Sequence, residues 1–355
     1  MEKKESKQSI GKKCTLKDVA GMAQVSIATV SHTLNGTAKI SPQTQQRVID
    51  AAWMLGYRSQ NEPDSPAELH RDRKVIGVIV QDISNEFYAA CASSVLACAD
   101  HKNYTLLLCD CVYDSQREIE LVHDLICQHI NGLIFFGGTE EASPVQLAHT
   151  YHIPVVLANR CVDGFSSVVY GNSKIIRETI TDLYNAGSRK FLYLTESLDL
   201  HSVRDRYDGF LLGMLDHRIP SSDYNILTAK RLQRDKVKAG YDVLSEYIQN
   251  GNVNFDTIIT TSDLIAVGVL KCLRELNYRV PEDIQVIGYD DISIAALVSP
   301  PLTTIHQDTT RLGQEAFNLL CEIMASDQHS PKQIVIENKL VIRDSTRMEL
   351  RKSNP

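Results

Sequence analysis

The chain has 355 residues, with 37 Lys and Arg against 44 Asp and Glu, 43% apolar residues and a net charge of −7. That composition excludes wholesale disorder and suits two or three domains, each with its own core. No apolar run approaches the ~20 residues of a membrane span, and the polar, Lys-rich start lacks a secretory h-region, so a cytoplasmic protein is expected.

Nine cysteines stand at no C-x-x-C spacing, which argues for reduced thiols and neither metal nor cofactor. The charge is uneven. Residues 1–60 hold nine Lys and Arg against four acids, a net +5, leaving −12 for the remainder. A basic head on an acidic body points to a polyanion partner for the head, or to a solvated Lys-rich tail over residues 1–13.

The head, residues 14–58, reads as three short helices. Thr15 and Asp18 form an acidic capping box, and a helix follows to about Ala23. Gln24-Val25 turns the chain. Ser26 caps a second helix in which Val30 and Leu34 face inward while Ile27, Ala28, Thr29 and His32 face outward or lie at its borders. Ser41-Pro42 opens a third helix with core positions Val48, Ala51, Ala52 and Leu55. Helix, brief turn and short helix with small outward residues is the helix-turn-helix pattern. Ile27, Ala28 and Thr29 are short enough to meet base edges and thymine methyls, and His32 suits guanine. Ser26, Ser31 and Asn35 suit phosphate contacts, and Thr15 is a further DNA-binding candidate. A capped three-helix bundle without a DNA role is the other reading of the pattern alone.

The segments Thr15-Leu16-Lys17-Asp18-Val19-Ala20, Val25-Ser26, Ala28-Thr29-Val30-Ser31, Leu34-Asn35-Gly36 and Leu55-Gly56-Tyr57-Arg58 resemble the head of the LacI/GalR family of bacterial transcription regulators. The resemblance implies a homodimer that places one such helix in each half of a pseudo-palindromic operator in double-stranded DNA. Many members have Arg where this chain has His32. The linker, residues 59–74, lacks the family's N-x-x-A-R-x-L-like hinge string. Ser65-Pro66-Ala67-Glu68 offers another helix start, with Leu69 as a minor-groove wedge and Arg71, Arg73 and Lys74 near phosphates. A flexible tether in which Leu69 has no role is the alternative.

Beyond the linker, short apolar runs alternate with helical patterns. The runs are Val75-Val80, Thr105-Cys109, Gly132-Phe136, Pro154-Ala158, Lys190-Thr195, Thr257-Thr260 and Ile284-Tyr289. Continuous apolar runs are strands covered on both faces, and strand–helix alternation means parallel, doubly wound sheets. Residues 75–345 are large for one sheet, so two lobes are expected. One would hold about 75–163 plus 308–328, the other about 164–307 plus a last strand near 333–343, with 346–355 a tail. No phosphate loop, nucleophile elbow or zinc-protease motif supports an enzyme.

Polar residues recur just after strand ends, where α/β folds bind ligands. In their order they resemble the effector domain of the same family and the periplasmic sugar-binding proteins. The fold so implied is an all-α helix-turn-helix head on a bilobed, periplasmic-binding-protein-like α/β body. The candidate ligand residues are Phe87, Tyr88, Asn159, Arg160, Arg206, Ser262, Asp290 and Gln307. Asn159 stands where Asp is frequent and Ser262 where Asn is frequent. The chemistry is that of a small-molecule effector, a sugar or nucleoside. Carboxylates accept vicinal hydroxyls, a guanidinium donates a fork, and aromatic faces cover C–H patches. The expected protein is a ligand-controlled transcription regulator, a repressor by preference, with a sugar receptor lacking gene regulation as the alternative.

Overall fold

The computed structural model describes residues 15–35, 40–55, 74–139, 141–326 and 330–348. They fall into two units that divide at Arg73–Lys74.

The first unit contains α1 (Leu16–Ala23), α2 (Ile27–Asn35) and α3 (Pro42–Met54). At the start of α1, the Thr15 backbone N–H and hydroxyl both donate to Asp18 Oδ2, at 2.8 and 2.6 Å. Gln24 ends the helix in the left-handed region (φ 52°), and Val25 N–H reaches back to the Ala20 carbonyl at 3.1 Å. That 6→1 bond closes the turn without a glycine. Ser26 Oγ accepts from Thr29 N–H at 3.1 Å and Ser41 Oγ from Thr44 N–H at 3.3 Å, so both predicted caps form. Val19, Ala20, Ala23, Val30, Val48, Ala51 and Ala52 make the core.

The second unit holds two six-stranded sheets. The first takes β1 (Lys74–Val80), β2 (Tyr104–Asp110), β3 (Gly132–Phe136), β4 (Val155–Ala158), β5 (Ser166–Tyr170) and β11 (Gln333–Ile336), in the order β11-β5-β4-β3-β1-β2. All its pairs are parallel, with Val80 opposite both Asp110 and Phe136. The helices of this lobe are α4 (Glu86–His101), α5 (Ser115–Cys127), α6 (Ser143–Thr150) and α11 (Thr309–Met324). Strand residues alternate between faces. Ile76, Val78 and Val80 pack with Val95, Phe317 and Leu320, whereas Ile79, Leu133 and Phe135 pack with Val122, Leu125 and Val145. Coverage on both faces is why these strands read as unbroken apolar runs.

The second sheet takes β6 (Phe191–Thr195), β7 (Tyr224–Thr228), β8 (Thr257–Thr260), β9 (Gln285–Asp290), β10 (Thr303–His306) and β12 (Lys339–Val341), ordered β12-β10-β9-β8-β6-β7. Only β12 runs antiparallel. The lobe's helices are α7 (Asn172–Asn185), α8 (His201–Asp216), α9 (Lys236–Gln249) and α10 (Asp263–Glu275). Helices α9 and α10 meet at Gly268, where a Cβ would stand 2.0 Å from the Val237 carbonyl oxygen.

Several sequence expectations need correction. The first lobe extends to Tyr170, because Ser166–Tyr170 is a buried strand paired with β4 and β11; its Ser-Ser start hid it. The single last strand is two, one in each sheet, parted by Glu337-Asn338. Lys74 opens β1 and is not linker. The expected tail from 346 still packs, since Thr346 and Met348 are buried, Met348 in the core of the second lobe. Leu69 and the rest of residues 56–73, the tail over 1–13, and the side chain of Asn35 lie outside the described residues.

Candidate functional site

On α2, Ile27, Ala28 and His32 are exposed, and Thr29 and Ser31 are half-buried. The Thr29 hydroxyl lies 2.8 Å from Ser26 Oγ, so these two polar groups brace one another at the helix start. Thr15 and Ser26 both serve as caps as well as DNA-facing candidates. Arrayed this way, α2 presents a short, mostly uncharged face.

The other site lies between the two sheets' lobes. The turn after β1 ends at Asn85, whose Oδ1 accepts from Phe87 N–H at 3.1 Å and starts α4. That cap places Phe87 and Tyr88 in the cleft, with ring centroids 5.2 Å apart and nearly perpendicular. Asn159 follows β4 in the left-handed region (φ 55°) and is buried. Its Oδ1 has no hydrogen-bond partner.

From the second lobe, Arg206 enters on α8 with 5% of its surface exposed. Nη1 donates to the Thr261 carbonyl at 2.6 Å and Nη2 to Gln307 Oε1 at 3.2 Å. Asp290 Oδ1 stands 3.9 Å from Nη2. Asp290 ends β9 at φ 108°, a strained conformation for a residue with a side chain. Burial pushes its carboxyl up to about 7, against the pull of Arg206 and Lys236. Its neighbour Asp291 points away, to Arg343 at 2.6 Å and His306 at 3.0 Å. Ser262 caps α10 by accepting from Ile265 N–H at 3.4 Å.

Phe87, Tyr88, Asn159, Arg206, Ser262 and Asp290 therefore line one cavity, a narrow one of about 30 Å³ with the lobes as they stand. Arg160 and Gln307 do not line it. Arg160 is fully buried inside the first lobe, 2.9 Å from Glu118 Oε1 and 2.6 Å from the Glu141 carbonyl. These bonds hold Arg160 within the first lobe, while Asn159 beside it lines the cleft. Gln307 acts at one remove, by holding Arg206.

The sequence did not single out Glu196, Lys236 or Tyr113. Glu196 follows β6 and accepts from Lys236 and from the Thr261 hydroxyl. Burial works to raise its carboxyl, but Lys236 and these hydrogen bonds prevail and hold it below its ordinary value. Tyr113, from the first lobe, lies with its ring centroid 5.6 Å from Lys236 Nζ. Glu196 obeys the strand-end rule and was findable by it; nothing in the sequence marks Lys236. Buried charges of both signs make the cavity close to neutral.

The lobes touch directly around this cavity. Arg234 Nη2 donates to the Val112 carbonyl at 2.8 Å, and the Ser293 backbone N–H and hydroxyl donate to Glu86 at 2.9 and 2.6 Å.

With that geometry, comparison with known proteins is informative. Residues 15–60 match the bacterial regulatory proteins of the lacI family, and residues 180–346 match a periplasmic binding protein-like domain. The transcriptional regulator RegA of Clostridium saccharobutylicum is 30% identical over 337 residues, which cover 94% of this chain and 99% of that one. The chain belongs to the LacI family. Another LacI-family relative, the repressor PurR of Vibrio vulnificus, is 29% identical over 343 residues, 94% of this chain and 98% of its own. A solved regulator from Alkaliphilus metalliredigens, complexed with D-xylulofuranose, superposes with a TM-score of 0.68 at 26% identity, covering 77% of this chain and 99% of that one. The lac repressor dimer bound to operator shares the fold at a TM-score of 0.69 and 22% identity, over 94% and 99% of the two chains. The LacI-family assignment makes this chain a DNA-binding transcriptional regulator under small-molecule control, and not an enzyme. Among the described residues no helix is long and apolar enough to cross a membrane.

Proposed function

We propose that this regulator is a cytoplasmic homodimeric repressor whose operator affinity is set by a neutral sugar or nucleoside held between the lobes. The ligand's ring lies against Phe87 and Tyr88, and its hydroxyls meet Asn159, Arg206, Ser262 and Asp290. The observation that carries the reading is the unpartnered Oδ1 of Asn159, an acceptor buried beside Arg206 and Asp290 in the interlobe cavity. A buried polar group without a partner costs about 1–3 kcal/mol, and a ligand hydroxyl removes that cost. The balance of Arg206 and Lys236 against Glu196 and Asp290 favours an uncharged molecule. The D-xylulofuranose bound by the relative from Alkaliphilus metalliredigens is of this class.

In the head, Ile27, Ala28, Thr29 and His32 read base edges, and Ser31 and the caps Thr15 and Ser26 meet phosphates. Titration calorimetry against a panel of sugars and nucleosides tests the cleft. One compound should bind once per chain, and Arg206→Ala or Asp290→Ala should weaken it tenfold or more. Unchanged affinity in both variants, with altered melting, contradicts the ligand-contact role.

A further inference from the structure

The folded head carries no net charge. Among its described residues, 15–35 and 40–55, the charged side chains are Lys17 and Arg47 against Asp18 and Asp50. Arg47 is also engaged within the fold, where it donates to the Ala23 carbonyl at the end of α1. Helix α2 has neither Lys nor Arg. Base edges and hydroxyl caps set sequence preference and register. Cations on phosphates supply essentially all of non-specific affinity for DNA and a large share of specific affinity. The three helices alone do not provide them.

The cations lie in the chain that leads into α1. Residues 1–13 hold Lys3, Lys4, Lys7, Lys12 and Lys13 against Glu2 and Glu5. Of the +5 borne by residues 1–60, +3 therefore belongs to 1–13, and Lys39 and Arg58 make up the rest. The linker does not share the task, since residues 59–73 hold two arginines against four acids. Beyond residue 60 the chain is net −12, a charge that DNA repels.

The attachment point is favourable. In helix-turn-helix docking the first helix crosses the DNA backbone. Thr15 caps that helix, α1, and Lys13 stands two positions before Thr15. The lysines are thus tethered to the element nearest the phosphates. Thirteen residues reach at most about 45 Å, and a duplex presents one negative charge per about 1.7 Å of its axis. The acidic body is the competing partner for these lysines. Its charge is far more dilute than that of a duplex, and Asp216, Glu246 and Asp283 are already paired with arginines.

We propose that residues 1–13 act as a basic arm that binds the DNA backbone and provides most of the salt-dependent affinity, whereas α2 provides the sequence preference. The proposal rests on the docking of α2 read above and goes beyond it in assigning affinity and specificity to different segments.

The test is fluorescence anisotropy on the full chain from about 50 to about 200 mM salt. One probe is a duplex carrying the pseudo-palindrome selected from random DNA, and the other is a duplex of unrelated sequence. The variant combines Lys3→Gln, Lys4→Gln, Lys7→Gln, Lys12→Gln and Lys13→Gln. Each lysine that neutralises a phosphate contributes about 0.9 to the slope of log K against log salt, and a dimer brings two arms. The variant's slope should therefore be shallower than the parent's by at least about 4 on both probes. The ratio of the two affinities at one salt concentration should stay within a few-fold of the parent's. The same five positions changed to Arg should keep the parent's slope. A smaller fall in slope, as expected if the arm pairs with the acidic body, overturns the proposal. A fall in the arginine set as large as in the glutamine set also overturns it. If the parent does not distinguish the two probes, the docking of α2 fails, and the slope on the unrelated duplex still decides the arm.

Discussion

The Arg206 guanidinium lies 3.7 Å from the centre of the Tyr289 ring, and the Tyr289 hydroxyl donates to Asn172 Oδ1 at 2.6 Å. Asn172 begins the helix just after the first crossover between the lobes. Asn338, in the third crossover, donates to the Tyr289 oxygen at 3.0 Å and to Asn172 Oδ1 at 3.3 Å. Gln307, in the second, accepts from Arg206. Arg206, the residue proposed to meet the effector, therefore touches, directly or through one side chain, all three connections between the lobes. A ligand that favours one lobe arrangement shifts its population by its differential affinity.

Tyr289→Phe keeps the ring under Arg206 and removes the hydroxyl shared by Asn172 and Asn338. Effector affinity should stay within a few-fold of the parent, while the effector's influence on operator affinity falls several-fold. Stability should drop by about 1–3 kcal/mol from the amide groups left unpaired. Parallel measurement of ligand binding and of operator binding with and without ligand checks this. An undiminished ligand response in Tyr289→Phe contradicts the coupling.

Asp290 makes the cleft pH-sensitive. Its carboxyl is raised from 3.8 to about 7 in the folded protein, first by burial. The folded state therefore holds a proton that the unfolded chain has released, and stability is lost as pH rises from about 4 to about 7. Asp290→Asn should melt higher than the parent by a margin that grows across that window and is level above it. Effector hydroxyls donate best to the ionised carboxylate, so affinity should rise between pH 6 and 8 in the parent and stay flat in Asp290→Asn. Melting curves and calorimetry at matched pH values decide both points.

Arg160 and Glu118 form a fully buried ion pair 2.9 Å apart. Arg160→Met strands the Glu118 carboxylate and should cost about 3–5 kcal/mol. Arg160→Met with Glu118→Leu should recover much of that loss. Effector affinity, measured at a temperature where each variant is folded, should be unchanged. A specific loss of affinity in a stable double variant would return Arg160 to the ligand site.

In the head, His32→Ala and Thr29→Ala should change base preference, with about 1–3 kcal/mol of discrimination removed by each truncation. Ser31→Ala should weaken all sites alike. Sites selected from random duplexes should be pseudo-palindromes with half-sites about one helical turn apart. Footprints without two-fold symmetry contradict that docking.

The sheets were legible where strands are covered on both faces. Gly132–Phe136 and Thr257–Thr260 were expected at the bounds observed, because every residue in them is buried. Ser166–Tyr170 and Thr303–His306 were not, since their buried hydroxyls look like loop. Tyr224–Thr228 is a half-exposed edge without an apolar run. The strand-end rule named Asn159 and Asp290, which line the cleft, and also Arg160, which does not, because the rule does not tell which of two adjacent side chains turns inward. Lys236 and Tyr113 approach from opposite lobes, 123 positions apart in the chain, a pairing that only the folded cleft creates.

Operator binding followed by fluorescence anisotropy, with and without the sugar that calorimetry selects, tests the central claim most directly. The parent protein should change its operator affinity at least tenfold on saturation with that sugar. Arg206→Ala should bind the operator with the parent's ligand-free affinity and show no change at the same sugar concentration. Equal responses to sugar in the parent and in Arg206→Ala, or none in the parent despite saturated binding, would contradict the account.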